Sequence, residues 1–299
     1  MRLAVVDWGI GGLGFARLLA ARHPAVPVVY LSDAGCTPFG TLPRRALAAR
    51  VDALLRHLAD AHGVDHAVLA CNAASTVIAE LAAPRRGVAV TGVIAPAVEA
   101  LSRRPPARIG VIGGRRTVAS GVYGRALRAT GHHVRQRVAQ PLSAHVEAGR
   151  LDGAEVRRDV VRILAPLGDV ELLVLACTHY PALAPLLAEC CPRAALFDPV
   201  EATLARVERE WPLAEAAAQG GGHRVLTTGD AEAMRRSARL AFHARGGRAV
   251  LRWTGAVPSS SGGEHAFAVG VASVEGAGAR GSGGEHERGV REASPKAAQ

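Results

Sequence analysis

Apolar runs of strand length alternate with helical periodicities along the chain as far as about residue 253. LAVV (3–6) is uninterrupted, which predicts a strand buried on both faces, and it leads into a glycine-rich turn at 9–14 and a short helix. VPVVYL (26–31) predicts a second strand. Pro43 then opens a helix, since a first-turn residue needs no N–H partner; Leu47, Val51, Leu54 and Leu58 follow on one face, and Gly63 ends it. HAVLA (66–70) is the third strand. Strand–helix–strand alternation of this kind implies a parallel sheet covered by helices.

The pattern then starts again. RIGVI (108–112) predicts a strand, followed by Gly113, Gly114 and a helix that stops at Gly131; 152–165 is helical and ELLVLA (171–176) extended. Farther on, 200–211 and 231–244 have helical patterns, while RVLTT (224–228) and RAVLRW (248–253) are extended. From about 255 Ser, Gly, Glu, His and Arg dominate and no period survives, although AFAVGVASV (266–274) is a candidate local strand. The fold class expected is therefore α/β: two pseudo-symmetric parallel-sheet domains facing across a central cleft. The first spans 1–92 and is completed by 205–254, the second spans 93–204, and 255–299 is a disordered low-complexity tail.

The two halves share more than their pattern. LAVVD lies over IGVIG and AVLACN over LVLACT, and Cys71 follows Asp7 by the same 64 residues that separate Cys177 from Gly113. An internal duplication with a cysteine at the same structural point in each copy accounts for this. Ligands of open parallel sheets bind beyond the carboxyl ends of the strands, where both cysteines fall. Free amides at a helix start there would lower a thiol pKa from about 8.5 toward neutrality. A cysteine after an apolar strand is also explained as a small buried hydrophobe. The shared offset and the polar neighbours Asn72, Thr178 and His179 favour chemistry, because core packing does not need two symmetric polar strand ends.

Composition narrows the chemistry. The only lysine is Lys296, in the expected tail; pyridoxal phosphate enzymes and P-loop proteins both need a lysine at the site. Five cysteines with no C-x-x-C pair speak against a disulfide framework or zinc ribbon and for free thiols in a reducing, cytoplasmic compartment. No apolar run reaches the roughly 20 residues of a membrane helix, and the opening MRLAVVDWGIGG does not read as a signal peptide. The formal charge of +10 is an arginine excess spread along the chain without interleaved aromatics, which speaks against a nucleic-acid partner.

Several segments together resemble glutamate racemases of the aspartate/glutamate racemase superfamily, over roughly residues 1–253. DWGIGGLG (7–14) resembles D-S-G-x-G-G, SDAGCTPFG (32–40) resembles D-x(4)-P-Y-G, and ACNAAS (70–75) resembles A-C-N-T-A-S. GVIAPA (92–97), the turn from Gly113 to Ser120 and the V-E-x-G segment at Glu147 also match, and LACTHYP (175–181) is the most specific. The resemblance implies a cofactor-independent isomerase without a metal, acting on a small-molecule amino acid as a homodimer and supplying D-glutamate for peptidoglycan, and so for cell-wall biogenesis and cell shape. It implies Cys71 and Cys177 as the catalytic pair, Asp7 assisting Cys71, and Glu147 with His179 assisting Cys177. It places Trp8, Pro38, Phe39, Gly40, Asn72, Ala73, Ser75, Thr117 and Thr178 at the substrate. Blander roles exist: Asp7 as a turn cap, His179 as a core histidine, Ser75 and Thr117 as N-caps.

Five positions depart from the pattern: Trp8 replaces Ser, Phe39 Tyr, Ala73 Thr, Gly114 Thr and Gln140 Cys. Most of these remove hydroxyl donors, and each hydrogen bond lost to a charged group is worth about 1.5–3 kcal/mol. Three readings stay open at this level: a glutamate racemase with compensating contacts, a diverged racemase for a less polar amino acid, and an inactive binding or regulatory protein. The charge argument has its own test. A gel-shift assay at moderate salt should show no retarded band with duplex or single-stranded nucleic acid, and a salt-sensitive shift would reverse it.

Overall fold

A computed structural model of the chain describes residues 1–218, 220, 222–243 and 270–274. The chain starts with β1 (Leu3–Asp7), α1 (Leu13–Arg22), β2 (Val28–Ser32), α2 (Arg44–His62), β3 (His66–Leu69), the one-turn α3 (Asn72–Ser75) and β4 (Ala89–Gly92). It crosses over through α4 (Ile94–Ser102) to β5 (Arg108–Gly113), α5 (Arg115–Ser120), α6 (Val122–Ala129), β6 (His133–Val138), α7 (Gln140–Glu147), α8 (Ala154–Leu164), β7 (Leu172–Ala176), α9 (Ala184–Cys190) and β8 (Ala195–Phe197). After α10 (Pro199–Glu210) and α11 (Leu213–Ala218) it returns with β9 (His223–Thr227), α12 (Ala231–His243) and β10 (Gly270–Val274).

Two sheets result. One runs β10-β9-β2-β1-β3-β4 and the other β6-β5-β7-β8. Every pairing is parallel except that of β10, which lies antiparallel on β9. The orders β2-β1-β3-β4 and β6-β5-β7-β8 are the same path walked twice. Even the register repeats: Leu3 pairs with His66 and Ile109 with Leu172, an offset of 63 residues in each copy. The internal duplication read from the cysteine spacing is thus a duplication of topology.

Strands β1 and β7 are buried along their whole length, as uninterrupted apolar runs between two helical layers must be. In α2 the expected stripe of Leu47, Val51, Leu54 and Leu58 is fully buried, each side chain contributing about 1.5–3 kcal/mol. Gly63 closes that helix at φ 62°, a left-handed turn in which its N–H and that of Val64 bond the carbonyls of Ala59 and Leu58. Strands β4, β6 and β8 were not apparent in the sequence. In β6, HVRQRV, only Val134 is fully buried, so an edge position hides the period-2 signal behind arginines. The candidate strand within AFAVGVASV is present as β10. RAVLRW (248–253) and the rest of the expected tail lie outside the described residues.

The lobes meet over the turn that follows β1. A Cβ on Gly9 would lie 2.1 Å from Glu147 Oε1, and one on Gly11 would lie 2.4 Å from Thr178 Oγ1 and 2.8 Å from the Thr178 carbonyl carbon. Glycine at these positions lets the second lobe press directly on first-lobe backbone. Gly14, one turn farther on, has open space around it. Gly11→Ala should therefore lose about 1–3 kcal/mol in urea denaturation, the usual range for overpacking. Gly14→Ala should be neutral or gain up to about 1 kcal/mol, from helix preference alone. Equal effects at the two positions would contradict the contact account.

Candidate active site

In a sheet ordered β2-β1-β3-β4 the strand order reverses between β1 and β3, and connections leave in opposite directions from their carboxyl ends, opening a crevice. Asp7 ends β1 and Cys71 lies just after β3; in the second sheet Gly113 ends β5 and Cys177 follows β7 directly. These ends line a single cavity of about 690 Å³, whose walls include Asp7, Cys71, Cys177, His179 and Glu147. That volume suits a small metabolite. Sheet topology thus gathers side chains that lie up to 172 residues apart in the chain.

On the first wall, the Asp7 carboxylate is held from three sides. Oδ1 accepts from the Trp8 N–H (2.8 Å), and Oδ2 accepts from the Gly12 N–H (2.5 Å) and from the Thr178 hydroxyl of the other lobe (2.9 Å). The carboxylate therefore does cap the turn, and it also faces Cys71. Burial pushes the Cys71 thiol well up, and the negative charge of Asp7 pushes it further; the Ala74 N–H, which favours the thiolate, does not outweigh them. This corrects the expectation of a thiol pulled toward neutrality by a helix start. The helix is a single turn, and a buried sulfur beside a carboxylate keeps its proton.

The second wall is built differently. His179 Nδ1 is 3.5 Å from Cys177 Sγ, and His179 Nε2 is 2.5 Å from Glu147 Oε1, which also accepts from the Ile10 N–H across the cleft (3.2 Å). Burial alone would lower the His179 pKa, but hydrogen bonds and charge from Cys177 and Glu147 outweigh it and hold it well above its ordinary value. Glu147 responds in the opposite sense. Burial raises it, while the hydrogen bond and charge of His179, with the Ile10 N–H, bring it below its ordinary value. At neutral pH this is a carboxylate–imidazolium pair with its second N–H end at a sulfur. Ser237 on α12 donates to the Glu147 carbonyl (2.8 Å), steadying the end of α7.

Of the remaining expected residues, Trp8, Pro38, Phe39, Gly40, Asn72, Ala73, Thr117 and Thr178 all line the cavity. The Trp8 indole N–H is committed to the Cys36 carbonyl (2.8 Å), and Asn72 Oδ1 accepts from Tyr123 of the second lobe (2.9 Å). The loop bearing Pro38, Phe39 and Gly40 is rooted by Asp33, fully buried and bonded to Arg50 (2.8 and 2.5 Å) and Thr228 (2.8 Å). Ser75 is not among the residues that line the cavity. Its hydroxyl bonds the Leu69 and Cys71 carbonyls (3.1 and 2.8 Å) and accepts from the Val93 N–H (3.1 Å), fastening α3 to the strands. Arg115, Ser143 and Ala144 line the cavity without having been singled out. Arg115 stands directly after the Gly113–Gly114 turn, and that adjacency was the available signal.

Among the described residues no group of three His, Cys, Asp or Glu side chains is placed to hold a metal ion. No helix among them is long and apolar enough to cross a membrane.

Comparison with known proteins adds the following. A family model described as Asp/Glu/Hydantoin racemase matches residues 14–207. A glutamate racemase from Gloeobacter violaceus is 38% identical over 217 residues, covering 71% of this chain and 81% of that protein. One from Shouchella clausii is 33% identical over 240 residues, covering 77% and 86%. Among solved structures, glutamate racemase from Thermus thermophilus in complex with β-chloro-D-alanine superposes with a TM-score of 0.71 at 29% identity, over 81% of this chain and 93% of that one. The Francisella tularensis glutamate racemase in complex with D-glutamate gives 0.73 at 21% identity over the same shares, which speaks to the fold.

The His179–Glu147 pair generates a pH prediction. In Glu147→Gln the His179 titration, followed by NMR of the ring, should move to lower pH than in the wild type. The raised His179 contributes stability that is present below the ordinary histidine pKa, about 6.5, and is lost as pH climbs through its folded value. The depressed Glu147 contributes stability that is lost as pH falls through its own folded value. The stability gap between wild type and variant should therefore be widest between the ordinary glutamate and histidine values, about pH 4.3 to 6.5, and narrow toward both extremes. An unmoved His179 midpoint would show that Glu147 does not set its charge.

Proposed function

The chain belongs to the Asp/Glu/Hydantoin racemase family and is an amino-acid racemase of the glutamate racemase type, and from that premise we propose that it interconverts L- and D-glutamate with Cys71 and Cys177 as the two proton carriers. One observation carries the reading: two cysteines at equivalent ends of a duplicated sheet line one metabolite-sized cavity, one facing a carboxylate and the other an imidazolium. The same resemblance extends the proposal to a homodimer in the cytoplasm that supplies D-glutamate for peptidoglycan.

The chemistry balances without an outside reagent. One sulfur enters as thiolate and takes the Cα proton from one face of the substrate, becoming a thiol. The other enters as thiol and delivers its proton to the opposite face, becoming a thiolate. The configuration inverts, the charge state of the pair is mirrored, and the reverse reaction runs through the same two atoms. Cys71, held as the thiol beside Asp7, suits the donor role at rest. Cys177, 3.5 Å from His179 Nδ1, is then the proton acceptor in that direction. In the reverse direction Cys71 enters as thiolate and takes the Cα proton, its new S–H then facing Asp7, while Cys177 enters as thiol and gives up its proton beside His179, which Glu147 holds in place. A Cα–H is a very weak acid, so the carbanion-like transition state needs fixed donors and exclusion of water. Asn72, Thr117, Thr178 and the Phe39–Gly40 backbone are the proposed substrate contacts.

A second reading has its own observation. Trp8, Phe39, Ala73 and Gly114 bring no free hydroxyl to the walls, which favours a less polar amino acid. Incubation in D2O with a panel of amino acids, following loss of the Cα proton by NMR, separates the two. The wild type should exchange glutamate, and Cys71→Ala and Cys177→Ala should each fall by about 10²–10⁴-fold, the usual contribution of a general acid or base. Exchange of only a neutral amino acid would select the second reading. Wild-type rates in either variant would remove the two-sulfur scheme, and silence across the panel would remove racemisation altogether.

A further inference from the structure

We propose that Arg115 receives the side-chain carboxylate of the substrate, making it the specificity-determining residue through which this cavity selects a dicarboxylic amino acid. The inference rests on the racemase reading above and deepens it.

The cavity's other charged groups are already committed. Asp7 is bonded by the Trp8 and Gly12 amides and by Thr178, and Glu147 and His179 are bonded to one another. Arg115 also lines the cavity, and among the described residues its guanidinium has no carboxylate partner. Two of the neutral donors nearby are spoken for as well. The Trp8 indole N–H goes to the Cys36 carbonyl and the Thr178 hydroxyl to Asp7. A substrate with a second carboxylate thus meets two paired acids and one unpaired cation. Among the described wall residues its distal charge has one uncommitted cationic counterpart, Arg115.

The backbone under Arg115 is fixed from both lobes. Its own N–H donates to Gln140 Oε1 (3.2 Å). The next residue, Arg116, donates its backbone N–H to the Gly40 carbonyl (3.1 Å) and its guanidinium to the Leu42 carbonyl. The first turn of α5 is therefore clamped between α7 and the 38–43 loop, while the Arg115 side chain stays exposed at the cavity. A rigid mount with an uncommitted planar fork is what two-point recognition of a carboxylate needs.

The test compares glutamate with glutamine, its uncharged near-isostere, for Cα exchange in D2O by the wild type, Arg115→Ala and Arg115→Lys. The expected result is a rise in KM for glutamate of about ten- to a hundred-fold in Arg115→Ala, the size of a lost hydrogen bond to a charge, with kcat changed much less. Glutamine exchange should be unaffected or improved, and Arg115→Lys should recover part of the glutamate KM. Because Arg115 is exposed and unpaired, the variants should keep the wild-type urea midpoint, which checks folding. Unchanged glutamate KM, or equal losses for both substrates, would overturn the assignment and leave the racemase reading standing. A wild type that exchanges only neutral amino acids would overturn it in the same way. A wild type that exchanges nothing would remove the racemase reading, and this assignment with it.

Discussion

The rest of the site depends on the Asp7 carboxylate being both buried and fully bonded. A buried carboxylate without partners would take up a proton or exclude itself from the interior. Here the glycine-rich turn bends its amides back onto the carboxylate from one side, and Thr178 reaches it from the opposite lobe. The same three bonds close the turn after β1, join the two lobes at the cleft and set a negative charge beside Cys71. Folding, lobe contact and the state of one thiol are therefore not separable here. A change that frees Asp7 from Thr178 acts on all three.

Duplication explains where the two sulfurs are; it does not explain why they differ. The copies share strand order and register, yet position 7 is an aspartate where its counterpart 113 is a glycine, and the position two residues after the cysteine is Ala73 in one copy and His179 in the other. Each half lacks what the other has. The first copy keeps an anion against its sulfur and the second an imidazolium supported by Glu147. A symmetric scaffold with asymmetric dressing gives two like atoms unlike surroundings, which suits the proposed pairing of one base with one acid.

Much of this was legible in the chain. Buried parallel strands announce themselves as apolar runs, and the equal spacing of Asp7–Cys71 and Gly113–Cys177 carried the duplication. What stayed hidden was set by contacts between segments remote in sequence. Edge strand β6 shows no alternation because solvent accepts its arginines. The bonds of the Ser75 hydroxyl to the Leu69 and Cys71 carbonyls also stayed hidden, since neither carbonyl is visible as its partner in the sequence. The Cys71 environment was misjudged because a helix start is visible in sequence and the burial of a neighbouring charge is not. Arg115 carries one local signal, its place directly after the Gly113–Gly114 turn, but only the fold sets it on the cavity wall apart from the chain's other arginines.

The turn D-W-G-I-G-G also bears on how such a cavity can change over generations. Position 7 is fixed by its network, 9 and 11 by the pressure of Glu147 and Thr178, 12 by the close approach of Asp7 and Ala70, and Ile10 is buried in the core. Of the two positions in this turn that line the cavity, 7 is tied into that network by its side chain and 8 is not. Mutational drift in this loop has one free coordinate, and in this chain it holds an indole pinned to Cys36. Within this turn, any broadening or narrowing of what the first wall tolerates is channelled through that residue, while its neighbours are held by contacts that a larger side chain would break.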